Sequence, residues 1–162
     1  VDFIPTIIDI IPAGGNDMYV VEYEARCAKY RKKAIDQSIA FAFQQLMPRM
    51  RKPIYINIRP IRKLTQKQGV YGDCMDEDDR EFTIRIDVSI PLEEMVSTIL
   101  HEMVHVQQYV TGRMKQRWSD EIIFNKVVYR SDMLYDDRPW EIEAHSIEKQ
   151  LAEKYFGQKK YG

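Results

Sequence analysis

The chain has 162 residues, 44% of them hydrophobic and 30% charged, with 24 Lys and Arg set against 25 Asp and Glu. That length supports one domain with its own core. A net charge of −1 and a pI near 6.4 argue against nucleic acid as a partner, and no apolar run approaches the roughly 20 residues that span a membrane.

Residues 1–15 hold two Pro and the Gly14-Gly15 pair and read as an extended arm ending in a turn. They lack a basic start and carry Asp2 and Asp9, so they do not resemble a secretory signal, and the expected compartment is the cytoplasm. Cys27 and Cys74 are too few for a disulfide framework and are expected as free thiols. From about Asp17 to Leu46 the spacing predicts a helix, with Ala25, Ala28, Ile35, Ile39, Ala42 and Phe43 on one side. The basic cluster Lys29 to Lys33 lies on the other side and reads as a solvated face.

Pro48 and Pro53 end that element. Ile54 to Arg59 alternates strictly and predicts a half-buried strand with Ile54, Ile56 and Ile58 inward. Val70 to Met75 predicts a second strand. The acidic run Met75 to Arg80 reads as a hairpin tip, since it lacks the central Gly and the terminal bidentate Glu of a calcium loop. Phe82, Ile84, Ile86 and Val88 give a third strand, and the expected result is a small antiparallel sheet.

A long helix then runs from Pro91 to a stop at Gly112, with Glu93 and Glu94 suited to the positive end of its dipole. Leu92, Val96, Ile99, Leu100 and Met103 form its apolar stripe. His101-Glu102-Met103-Val104-His105 lies in this helix. Residues four apart share a helix face, so His101 and His105 can offer two imidazole nitrogens to one metal ion, with Glu102 within reach of a water there. Because the stripe supplies the core contact, the His face is expected to look into a cleft or solvent. After Gly112, Trp118 to Tyr129 suggests a short hairpin or a loop wrapping the cleft. A last helix is expected from Pro139 to about Phe156, with Asp136 or Asp137 as its cap and 157–162 as a frayed tail.

Zinc chemistry calls for a third protein ligand. The last helix offers Glu141, Glu143 and His145, and helical angle alone does not choose between the two Glu.

The His-Glu-x-x-His run followed by Pro139-Trp140-Glu141-Ile142-Glu143-Ala144-His145 resembles the gluzincin metallopeptidases. Small phage- and bacteria-encoded zincin domains, of the SprT-like or minimal gluzincin kind, look most similar. The resemblance covers roughly residues 85–155 and implies an α+β zincin-like fold: N-terminal helix, small sheet, active-site helix and a later glutamate helix. It implies Zn2+ held by His101, His105 and Glu141, with Glu102 as general base and a peptide or protein as substrate. Related membrane-type gluzincins carry Glu-x-x-Ala-Asp, and His145 stands here where that Asp would be. The third His of SprT-type proteins is missing, since none occurs between His105 and His145.

A donor is also needed for the oxyanion, and His145, Tyr129 and Tyr135 are the candidates. The competing expectations are an inactive or latent zinc-binding interaction protein, such as a phage accessory protein in the host cytoplasm, and a di-iron bundle. The bundle would need a second Glu-x-x-His element, which the chain lacks.

Overall fold

A computed structural model describes residues 19–161, so the arm at 1–15 lies outside the described residues. The first element is a strand, β1 (Tyr19–Tyr23). Its Tyr-Val-Val-Glu-Tyr sequence alternates inward and outward and is rich in β-formers. The helix α1 (Lys29–Leu46) begins after it. The helix expected from Asp17 is thus ten residues shorter among the described residues, and Ala25 and Ala28 are exposed rather than core. Next come β2 (Ile54–Ile61), the short α2 (Leu64–Gln68), β3 (Gly72–Asp78) and β4 (Glu81–Asp87). The long helix α3 (Leu92–Val110) follows, and then β5 (Met114–Arg117), β6 (Glu121–Phe124) and β7 (Val127–Arg130). A 3-10 turn (Tyr135–Asp137) precedes α4 (Pro139–Tyr161). Asp136 and Asp137 lie in that turn, with Arg138 between them and α4. The helix runs on past Phe156, so a tail frayed from Gly157 does not describe it.

The main sheet has the order β1-β2-β4-β3. β1 with β2 and β2 with β4 pair in parallel, and only β3 with β4 pairs antiparallel. The expected all-antiparallel sheet is therefore corrected to a mixed one. The reason is the connections: α1 carries the chain across the sheet between β1 and β2, the long crossover that parallel pairing requires. β3 and β4 form the expected hairpin, with Asp78, Asp79 and Arg80 in left-handed conformations at its acidic tip. β4 is an inner strand, so the chain enters α3 from the middle of the sheet.

One face of this sheet makes the core. Val21, Ile56 and Phe82 lie in register across three strands, as do Tyr23, Ile58, Ile84 and Cys74 across four. Ile35, Ile39, Ala42 and Phe43 of α1 and most of α3 pack on them. Ile54, Ile56, Ile58, Ile84 and Ile86 are almost wholly buried, and each contributes about 1.5–3 kcal/mol by leaving water. α3 is buried on nearly every side, because α4 covers what the sheet and α1 leave open. Of the expected stripe only Leu92, at the first turn, is exposed.

The second sheet, β5-β6-β7, is the expected hairpin extended by one strand. Its Met114 and Phe124 enclose a small core with Trp140 of α4. The architecture is α+β. No helix among the described residues is long and apolar enough to cross a membrane.

Candidate metal centre

α3 and α4 pack side by side, and their polar residues meet where the apolar stripes do not. Trp140, Ala144 and Leu151 of α4 face the core. Glu141, His145 and Glu148 recur at steps of four and three, so they share the neighbouring face. That face lies against His101 and His105, both of which are buried at 6% exposure.

Three ligating atoms converge there. Nε2 of His101 and Nε2 of His105 lie 2.9 and 3.1 Å from the same oxygen, Oε1 of Glu141, and 3.2 Å from each other. Bonds of about 2.0–2.1 Å to a tetrahedral ion put its ligand atoms about 3.3 Å apart. The observed triangle is close to one face of that tetrahedron. Glu143, which helical angle could not separate from Glu141, turns away to Gln108 and Arg113.

The outer nitrogens define the protonation. Nδ1 of His101 donates to Oε1 of Glu148 at 2.9 Å, and Nδ1 of His105 donates to Oε1 of Gln108 at 2.8 Å. A neutral imidazole protonated at Nδ1 presents a bare lone pair at Nε2. In that state two lone pairs and a carboxylate oxygen point at one another, a donor set that suits a cation. One proton bridges only two of the three atoms. A cation would serve all three.

The electrostatics agree. Burial opposes a charge on His101, but Glu141 and Glu148 outweigh it and push its pKa up to about 10. Burial likewise opposes a charged His105, and Glu141 and Glu102 raise it. Burial raises Glu141 too, yet the two imidazoles hold it well below the usual carboxylate range. The site thus attracts a proton to where a cation would sit.

Glu102 is 5% exposed and faces the cleft beside the triangle. Burial pushes its carboxyl up to about 7, with His105 and His101 pulling it back. The cleft has a volume of about 250 Å3 and is bounded by Gly72 and Cys74 of β3, by Met114, and by Tyr135 and Trp140. A recess of about 270 Å3 lies on the outer face of the main sheet, around Tyr55, Asn57 and Arg59. It holds no group like the buried imidazoles.

His145 is exposed at the rim, its ring tilted by 50° and 4.3 Å from the His101 ring. It forms a wider group with His101 and Glu141, with ligating atoms within 4.8 Å of one another. The hydroxyl of Tyr135 stands between, 2.9 Å from Oε1 of Glu141 and 2.8 Å from Nε2 of His145. The tighter triangle with His105 is therefore the better metal face. Burial and the Glu141 charge raise the Tyr135 phenol, which stays a neutral donor. Tyr129 is not brought to this group. Its ring packs edge-on against Trp140 at 5.8 Å in the small second core.

Gln108 and Glu148 went unread in the sequence. Each had a signal: Gln108 is three residues after His105, and Glu148 continues the Glu141–His145 stripe by one turn. Comparison with family models, curated proteins and solved structures gives no match for this chain.

Proposed function

We propose that the chain is a zinc-dependent peptidase on a zincin-like scaffold, similar to the gluzincins. One observation carries this reading. Nε2 of His101, Nε2 of His105 and Oε1 of Glu141 close on one point, while the two Nδ1 atoms face Glu148 and Gln108. Two imidazoles and one carboxylate, with a fourth position open, suit catalytic zinc.

When bound, Zn2+ supplies Lewis acidity toward water and toward a carbonyl oxygen. A Glu102 carboxylate oxygen takes the proton of the attacking water and gives it to the departing amine nitrogen as the C–N bond breaks. The Tyr135 hydroxyl and His145 stand as donors for the oxyanion. An extended peptide would find its strand partner in β3, the edge strand bordering the cleft, by backbone hydrogen bonding. β4, which hands the chain to α3, has no free edge to offer.

A second reading, a zinc-binding interaction domain without peptidase activity, is favoured by the small cleft. Its volume of about 250 Å3 falls below the ~300–1,000 Å3 of most ligand pockets. Elemental analysis of the purified protein beside His101→Ala, followed by casein digestion, tests both. The peptidase reading expects one zinc per chain, lost in His101→Ala. It also expects casein cleavage that Glu102→Gln abolishes with zinc retained. Iron in place of zinc, or cleavage that survives Glu102→Gln, would refute it. Zinc without any cleavage by the wild type would leave the binding role.

A further inference from the structure

Resting on the zinc reading above, we infer that Gln108 is a positioning residue which fixes His105 in the tautomer that binds metal through Nε2. Gln108 is fully buried on α3. A buried amide must satisfy its oxygen and its nitrogen separately. Its nitrogen donates to the Trp140 carbonyl at 3.1 Å and to Oε1 of Glu143 at 3.0 Å. Both partners are acceptors and neither can donate. Turning the amide over would set its oxygen against both of them and its NH2 against His105. The amide therefore has one orientation, and its oxygen faces Nδ1 of His105 at 2.8 Å. That oxygen can only accept, so Nδ1 carries the proton and Nε2 is left free toward Glu141.

Glu143 is held in turn by Arg113, 2.5 Å from its other oxygen. Arg113 also donates to Asn125 at 3.0 Å and lies over the Phe124 ring. A polar chain thus runs Arg113–Glu143–Gln108–His105, from the root of the second sheet to the metal centre. This gives Glu143 a task distinct from that of Glu141: it clamps the amide that orients a ligand. The two imidazoles are treated differently, because His101 meets a carboxylate at Glu148 and His105 meets an amide. A carboxylate at 108 would stand against Glu143. Only a group that accepts on one side and donates on the other fits between His105 and Glu143.

The test uses the full chain loaded with Zn2+ alone. Long-range 1H–15N spectra of the 15N-histidine protein should show His105 with its proton on Nδ1 and the metal on Nε2. Zinc affinity, from competition with a chromophoric chelator, should fall about 10–100-fold in Gln108→Leu. Gln108→Met keeps the length of the side chain without its acceptor oxygen and should show a loss of the same order, about 10–100-fold. Metal on Nδ1 of His105, or wild-type affinity in Gln108→Leu, overturns the inference and leaves the zinc reading intact. If Gln108→Leu does not fold, wild-type affinity in Gln108→Met overturns it instead. A wild-type chain that binds no zinc removes the metal reading itself.

Discussion

Asp87 closes the corner through which β4 feeds α3, and replacing it with Asn tests how that corner is held. Oδ2 accepts from the backbone N–H and the hydroxyl of Thr65, at 2.8 and 2.7 Å. Oδ1 accepts from the backbone N–H and the hydroxyl of Ser89, at 2.8 and 2.5 Å. Asn keeps the shape but has one acceptor oxygen, and its NH2 would face two donors. The hydroxyl on that side can rotate and accept, but the backbone N–H cannot. A stranded backbone donor costs about 1–3 kcal/mol, and the remaining bonds lose the strength that the charge gave them. We therefore expect Asp87→Asn to destabilise the fold by about 2–4 kcal/mol, roughly 5–15 °C in Tm for a chain this long. Circular dichroism during thermal and urea unfolding at pH 7 measures it.

The same carboxylate gives a pH signature. Burial raises its pKa, but the bonds from Ser89 and Thr65 prevail and hold it well below the usual range. A depressed folded pKa contributes stability that is fully present above the unfolded value, near 4. That stability drains away as pH falls from there toward the folded value. The gap between wild type and Asp87→Asn should thus be constant from pH 7 to about 5 and narrow by pH 3. A Tm within 1–2 °C of wild type at pH 7, less than the ~2–4 °C expected from 1 kcal/mol, or a gap unchanged at pH 3, would refute the reasoning.

Three further outcomes are expected. Gly72→Ala puts a Cβ 2.6 Å from the Arg85 carbonyl of β4 and 3.0 Å from Thr98 of α3, so β3 must move off both; urea unfolding should show a loss of about 1–3 kcal/mol. Glu148→Ala removes the carboxylate behind His101 and should weaken zinc about 10–100-fold in chelator competition. Tyr135→Phe should keep zinc and lower kcat about 100-fold or more, while Tyr129→Phe, which keeps the ring against Trp140, should leave kcat unchanged; the reverse order in a peptide assay would move the oxyanion donor to β7.

The residues that propose chemistry were legible one helix at a time. His101, Glu102 and His105 stand at spacings that any helix turns into a shared face, and the alternation in Ile54–Arg59 and Phe82–Val88 gives strands whatever surrounds them. Short-range geometry fixes such patterns, because backbone periodicity alone sets which side chains are neighbours. What depends on two elements meeting was not legible. Glu141 and Glu143 are equivalent on an isolated helix, and only the packing of α4 on α3 turns one to the imidazoles and the other to Gln108 and Arg113. Tyr19–Tyr23 has too few residues to declare itself, and its parallel pairing with β2 follows from the path of α1. The choice of Tyr135 over Tyr129 at the cleft was likewise made by the 3-10 turn and the second sheet. Local sequence set the side-chain types and their spacing; which of them converge, and which way the Gln108 amide is turned, came from contacts between residues some 30 to 50 positions apart in the chain, where no local rule reaches.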